Sequence, residues 1–520
     1  MGVGHMDLNA GAASWIVDSP GWISGAIPTV LPPTGHPLFG RNKAGPKRKE
    51  TTMNINPRRM TLLAPTRGNT SDEAVRIDAH ADLCRWYGPA DLIWEIHVEA
   101  PGAYRAEIAY SSSIDAAPYR LLLDSKTVGD GSLSRTSGFF SAQTPSLNYE
   151  LLRHPEILRL AAGDHTLSVR IDAGGDPPSV SVCDIRLHPE STEGARAEEQ
   201  QRAIEARSDL AWFRNCGYGL MFHWTSDSKP KNGPRKPYPR AVADFDVEGF
   251  ADMVRTTGAA YVMLTANHAE PSFPAPLEYW ESLYPGWTTE RDLVAELIEA
   301  LDTRGIKLFL YLNPFSAYIA SGRLRNLDGS RTYSNERQIH PDCSVDFLDT
   351  TCQLLEDIGT RYGEKLAGYW FDSWYQPFNQ FGSFPMEPVY SAAKSGNANR
   401  FTCFNWWIRP VGTPWGEYWA AEVGGPGVLP EDGGEDQGMV SGAGKGLNGH
   451  ALLIMDDPWV HGKLNTDVVA PRHTKNRLID FVSDCSQKNA PVTINLGIYQ
   501  DGGIGDGAAD VMESIRQAFR

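Results

Sequence analysis

The chain has 520 residues, 41% of them hydrophobic and 22% charged, with a formal net charge of −16. That length exceeds one ordinary hydrophobic core and predicts two domains, and the apolar share excludes a disordered polymer. The negative field opposes nucleic acid and anionic membranes, so neither is an expected partner.

The seven cysteines (Cys84, Cys183, Cys216, Cys343, Cys352, Cys403 and Cys485) form no CxxC pair and show no zinc-ligand spacing. They read as reduced thiols, so a cytoplasmic location is expected. No apolar run is long enough to span a bilayer, and no basic-then-apolar secretory signal is seen.

Residues 1–69 are dense in Gly, Pro and Ser, with a basic cluster (Arg41, Lys43, Lys47, Arg48, Lys49) and no periodicity; they are expected to be irregular. Over 70–188 short alternating strands appear: Leu92–Val98, Tyr104–Tyr110, Tyr119–Leu123, Thr166–Ile171 and Ser179–Leu187, separated by Gly, Pro, Asp and Ser turns. This spacing predicts an antiparallel β-sandwich. Its order, with the runs Trp94-Glu95-Ile96-His97-Val98 and Gly163-Asp164-His165-Thr166-Leu167, resembles the jelly-roll carbohydrate-binding modules attached to many glycosidases. A sandwich that only buttresses its neighbour fits the same pattern. Residues 189–209 are charged and read as a linker helix.

From 210 to 520 strands and helices alternate. The predicted strands are Gly219–His223, Tyr261–Thr265, Lys307–Tyr311, Leu366–Phe371, Thr402–Trp406, Tyr418–Ala421, Leu452–Met455 and Val492–Leu496. Helices are predicted at Val247–Thr257, Arg291–Arg304, Asp346–Tyr362 and His473–Ser486. A helix-ending glycine (Gly258, Gly305) followed by a β-branched or aromatic run marks parallel strands with helical crossovers. The expected fold class is α/β, a (β/α)8-type barrel preceded by an all-β jelly-roll sandwich. A flat doubly wound sheet is the alternative, but no G-x-G-x-x-G follows the first strand to mark a dinucleotide site.

Polar and aromatic residues follow the strands in turn: His223 and Trp224; Asn267, His268 and Glu270; Asn313; Asp372, between Trp370 and Trp374; Asn405 and Trp406; Glu422; then Asp456, Asp457 and Trp459. A barrel opens its active site at the C-terminal ends of its strands, so this succession predicts a lined pocket. Asp372 at a strand tip among rings suits attack on a sugar's anomeric carbon, the rings stacking on apolar sugar faces. The plain alternative is an aspartate that caps the next helix or closes a turn. His223 or His268, taken alone, reads as a satisfied core histidine.

Five segments, in order, resemble the α-L-fucosidase family of retaining glycosidases. They are Trp212-Phe213 with Gly219 to Trp224; Gly258 to His268; Arg291-Asp292-Leu293-Val294 with Gly305-Ile306-Lys307; Tyr369-Trp370-Phe371-Asp372; and Lys488 to Gly497 with Asp501-Gly502. The resemblance implies that Asp372 is the nucleophile, that His223 and His268 contact sugar hydroxyls, and that Trp224 lines the pocket floor. Asn267, Glu270, Trp370, Trp374, Asn405, Trp406 and Trp459 are read as further substrate contacts. Glu422 is the first choice for the general acid/base, with Glu417, Asp436 and Asp456 behind it and Glu270 more distant.

Retention requires two carboxyls about 5 Å apart, one ionised and one protonated, and calls for no cofactor and no metal. The expected partner is an oligosaccharide or glycoside substrate, and an oligomer is compatible with the sequence. The chain departs from the family at Ala269, where a second His is expected, and at Thr225, Glu270 and Pro271. Losing one imidazole removes a hydrogen bond of about 1–3 kcal/mol, enough to redirect sugar specificity. The alternatives are therefore a glycosidase of the same fold acting on a non-fucose sugar, and a non-catalytic sugar-binding protein. Two long insertions, Pro230–Pro239 and Gly424–Gly449, are expected to reshape the mouth.

Overall fold

A computed structural model describes residues 52–519, apart from 71, 79–81, 137–148, 328, 332–338, 408, 423–443, 445 and 458. The expectation for residues 1–51, and that for most of the insertion 424–449, lie outside the described residues. All described residues belong to one compact unit, Glu50–Arg520.

The N-terminal part of that unit, as far as Pro189, is a two-sheet sandwich. One sheet runs Met53–Ile55, Ala90–Val98, Gly163–Ile171, Ala117–Leu123, Lys126–Leu133. The other runs Val75–Asp78, Leu83–Trp86, Val180–Pro189, Gly102–Ser112, Glu150–Leu160, with Thr61–Leu63 added against Val180–Pro189. Counting the eight main strands from Leu83–Trp86 in chain order, one sheet reads 1-8-3-6 and the other 2-7-4-5, the connectivity of a jelly roll. Period two drives this. Ala90, Leu92, Trp94, Ile96 and Val98 are buried while their neighbours are half-buried.

The irregular segment expected over 1–69 is corrected in its last part. Met53–Ile55 pairs in parallel with Ala90–Val98, and Thr61–Leu63 pairs antiparallel with Val180–Pro189. Ile55, Leu62 and Leu63 are buried by that pairing. Two three-residue strands around a Pro-Arg-Arg turn are too short to display an alternation.

The C-terminal part carries seven parallel strands in the order Phe401–Phe404, Leu366–Phe371, Lys307–Leu312, Tyr261–Thr265, Tyr218–Phe222, Val492–Asn495, Ala451–Ile454. Residues 417–422 join the two edges. Glu417 N donates to Thr402 O at 2.9 Å, Trp419 N to Asn448 O at 3.0 Å and Leu452 N to Ala421 O at 3.2 Å. Parallel bridges at Tyr418↔Asn448 and Glu422↔Leu452 complete the contact. The ring thus closes through an eighth, irregular strand, and the fold is a (β/α)8-type barrel. The crossover helices include Val247–Thr257, stopped at Gly258 with φ 78°, Leu293–Asp302, Asp342–Tyr362 and Lys475–Gln487. Among the described residues no helix is long and apolar enough to cross a membrane.

Strand side chains alternate between two cores. Leu220, Phe222, Val262, Leu264, Leu308 and Leu310 pack outward among the helices, while Met221, Tyr261, Met263, Phe309 and Tyr311 fill the barrel. The fourth strand changes phase partway. Leu366 faces out and Ala367 in, yet Tyr369 and Phe371 face out and Trp370 in. The register against Leu308 and Phe309 slips at Gly368, forming a β-bulge. A Cβ on Gly368 would lie 2.5 Å from the Phe309 ring, so the slip is built on a residue without one. Asp372, two residues beyond Trp370, therefore follows the inward phase.

The sandwich and the barrel meet through buried polar contacts. Arg186, ion-paired to Asp184 at 2.8 Å, donates to Pro410 O at 2.6 Å and Val411 O at 3.2 Å. Asp82 accepts from Asn379 Nδ2, and Asp82 O accepts from Arg409 Nη2 at 2.5 Å.

Candidate active site

Asp372 ends the fourth strand, and Ser373 turns the chain sharply with φ 56°. Four donors converge on its carboxylate. Oδ2 accepts from the Tyr311 hydroxyl at 2.5 Å and from Asn313 Nδ2 at 3.1 Å. Oδ1 accepts from Ser373 N at 2.7 Å and from Asn405 Nδ2 at 2.9 Å. The Ser373 contact is the turn closure that the plain reading foresees. The other three come from neighbouring strand ends, so the aspartate is aimed across the barrel mouth rather than spent on its own turn.

Glu422 faces it from the irregular eighth strand. Its Oε2 accepts from Asn405 Nδ2 at 2.6 Å, so one amide nitrogen holds both carboxyls. Burial, reinforced by the charge of Asp372, pushes the Glu422 carboxyl up to about 8, with the Asn405 hydrogen bond pulling the other way. The arrangement separates one carboxyl that holds its proton from one that is solvated by four donors.

Two imidazoles and two large rings border the pair. His223 Nδ1 lies 2.8 Å from Asn495 Oδ1, while Asn495 Nδ2 donates to Trp459 O at 3.2 Å. With that amide orientation Nδ1 carries the proton, and Nε2 is left as an acceptor. Burial and the nearby His268 drive His223 down to about 3, so it is neutral. His268, also lowered by burial, stacks on Tyr311 at 5.6 Å and stands 5.8 Å from His223. Trp459, at φ 61°, packs its ring 5.2 Å from His223. Trp370 stacks on Tyr311 at 5.2 Å inside the barrel, so it is Trp370 that underlies the carboxylate.

Several expected contacts sit elsewhere. Trp224 is not a floor residue: it is buried in the outer core against Phe245 and Tyr238, and donates to Gln500 O at 3.1 Å. Trp374 packs outward on Phe371 and Phe404 with its Nε1 on Met386 Sδ, and Trp406 packs on Phe378. Strand phase accounts for Trp224 and Trp406: each follows an inward residue, His223 or Asn405, and so points out. Asn267 serves the backbone of Asn313, accepting from its N at 3.0 Å and donating to its O at 3.0 Å. Glu270 is exposed and takes the Ser226 hydroxyl at 2.5 Å.

The other acid/base candidates are used up or remote. Glu417 is buried at the opposite end of the eighth strand, ion-paired to Lys394 and bonded to Tyr390 and Thr402. Asp456, pushed up to about 7 by burial, accepts from Gly497 N at 2.6 Å. Asp436 lies outside the described residues.

Tyr311 and Asn495 are site residues that the sequence reading overlooked, and Asn313 is one that it named only as part of the polar ring. Each has a readable signal: Tyr311 is on the inward phase of its strand, and Asn495 is the last residue of the strand beside His223.

Comparison with known proteins shows what the chain is similar to. The tissue alpha-L-fucosidase of Homo sapiens is 30% identical over 142 residues, which is 21% of this chain and 30% of that protein. The Rattus norvegicus enzyme is 27% identical over 216 residues, 35% of this chain and 43% of that protein. The chain thus spans between 30% and 43% of the length of the curated relatives it matches. Among solved structures, an alpha-L-fucosidase from Bacteroides thetaiotaomicron is similar with a TM-score of 0.42 at 18% identity, over 59% of this chain and 72% of that one. The alpha-L-fucosidase family model matches residues 239–517, more than half of the chain, and takes in Asp372, Asn405, Glu422, His268 and Trp459. The chain belongs to the alpha-L-fucosidase family.

Proposed function

We propose that the protein is a retaining, exo-acting glycoside hydrolase of the α-L-fucosidase type, with Asp372 as nucleophile and Glu422 as general acid/base. The observation that carries this reading is the single Asn405 nitrogen lying 2.9 Å from Asp372 Oδ1 and 2.6 Å from Glu422 Oε2. That geometry keeps the facing oxygens within the roughly 5.5 Å used for retention, short of the roughly 6.5 Å that inversion needs to admit a water.

In the first step Asp372 attacks the anomeric carbon as Glu422 passes its proton to the departing oxygen. The glycosyl–aspartate ester has no charge, so the Coulomb push on Glu422 disappears and its proton affinity falls. Glu422 then takes a proton from the water that hydrolyses the ester. His223 Nε2, an acceptor, receives a sugar hydroxyl, while Trp459 offers a face to the sugar's apolar side. These steps use only side chains of the chain itself. The seven free thiols favour a reducing compartment, and we place the protein in the cytoplasm; a denatured, unreduced sample in which fewer than all of them react with a thiol reagent would count against that.

The test is turnover of a panel of aryl glycosides by wild type and Asp372→Ala, followed by trapping with a 2-fluoro glycoside. Labelling of Asp372 supports the reading. Labelling of another residue, or full activity in the variant, ends it. Ala269, standing beside His268 where the family carries a second imidazole, favours a second reading in which the sugar is not fucose; the best substrate in the same panel decides between them.

A further inference from the structure

Asn405 closes the fifth strand on the inward phase, two residues beyond Cys403, and is 1% exposed. Its backbone brackets the aspartate: Asn405 N donates to Phe371 O at 2.8 Å, and Asn405 O accepts from Trp374 N at 2.9 Å. Its side-chain oxygen accepts from Trp407 N at 2.8 Å, which settles the amide's orientation and turns both N–H bonds toward the carboxyls. Trp407 makes that contact from the left-handed conformation, φ 52°.

The sandwich holds this turn. The Trp407 ring packs against the buried sandwich cluster of Leu83, Ala109, Tyr149 and Cys183, and on its barrel side stacks on Tyr375 with ring centroids 6.0 Å apart. Farther along, Arg409 donates to Asp82 O, and Arg186 grips Pro410 O and Val411 O. Asp82 and Arg186 are buried and belong to the sandwich, so the chain leaving Asn405 is anchored on the sandwich as well as on Tyr375.

We propose that Asn405 is the positioning residue of the carboxyl pair, fixing the spacing of Asp372 and Glu422 through one shared amide nitrogen, and that the sandwich sheet sets it in place through Trp407, Arg409, Pro410 and Val411. The proposal rests on Asp372 and Glu422 being the reacting pair. An amide suits the task because it donates twice from one atom and does not titrate, whereas a third carboxyl there would repel both neighbours. The titratable groups facing the pair from the other strands are Tyr311, His223 and His268. A hydrogen bond donated to Glu422 favours its ionised form, so its removal raises the proton affinity of Glu422.

The experiment follows the Glu422 carboxyl by infrared difference titration, its band identified by disappearance in Glu422→Gln, in wild type, Asn405→Ala and Asn405→Ser. Parallel measurements give kcat and KM on an aryl α-L-fucoside. The expected result for Asn405→Ala is a Glu422 midpoint above the wild-type value and a kcat lower by roughly 100-fold with KM little changed, the size of effect that misplacing a reacting group produces. Asn405→Ser, which keeps one donor, falls between. A midpoint unmoved in both variants overturns the proposal, whatever happens to the rate. The titration needs no turnover: an inactive wild type, or an active Asp372→Ala, would remove the enzymatic reading by a separate route.

Discussion

The Tyr311 hydroxyl donates to Asp372 Oδ2 across 2.5 Å, and both burial and the aspartate's charge keep that phenol protonated. Tyr311→Phe removes this donor and leaves Asn313 alone on Oδ2, while the ring stays stacked between Trp370 and His268. A hydrogen bond to a charged group contributes about 1.5–3 kcal/mol, so kcat should fall by roughly 10- to 150-fold. The melting temperature should change little, because the ring packing is retained. Steady-state kinetics beside a thermal melt check both halves of that expectation.

Under the proposed mechanism, with Glu422 held up to about 8, activity should fall as the pH rises through that value, since leaving-group departure would need its proton. The sign for stability follows. The folded value lies above the ordinary 4.5, so the stabilisation from this group is complete below about 4.5 and is lost as pH rises through about 8. One group contributes a slope of at most about 1.4 kcal/mol per pH unit. In Glu422→Gln, unfolding free energies measured by urea at several pH values should lose that slope. Residual turnover of a glycoside with a good leaving group should no longer decline through pH 8.

The tryptophans separate into two kinds. Trp459→Ala should raise KM or lower kcat/KM, because its ring borders His223. Trp374→Leu should instead lower stability by a few kcal/mol, the usual cost of removing a large buried ring, with KM unchanged. A KM effect in Trp374→Leu would contradict the placement of that ring in the outer core.

Much of this arrangement was legible in the sequence. The eight strand segments stood out because capping glycines and β-branched runs punctuate the chain, and Asp372 and Glu422 stood out as carboxylates just past two of them. Trp224 and Trp406 stand near strand tips, but on the outward phase, so their rings enter the helix layer rather than the pocket. Asn405 and Trp406 are neighbours, and one enters the barrel while the other enters the helix layer. The phase of the fourth strand could not have been counted from sequence, since the slip at Gly368 depends on how it pairs with Leu308 and Phe309. The strands at 53–63 were hidden because their pairing partners lie far along the chain.

Arg186→Ala should destabilise the whole unit. It removes a buried guanidinium and leaves the Asp184 carboxylate and two carbonyls without their donor, a change of about 3–5 kcal/mol. Chemical denaturation measures it. A shift below about 1 kcal/mol would mean that the sandwich and the barrel are joined more loosely than these contacts require.

The aspartate's aim comes from arithmetic rather than from chemistry. The fourth strand contains one residue more than its ladder with the third can use, and that surplus rotates everything after it by half a turn. An identical Tyr-Trp-Phe-Asp run in an even ladder would send its carboxylate into the helices. Lengthening or shortening those few residues by one would therefore silence the site while leaving every side chain of the pocket intact.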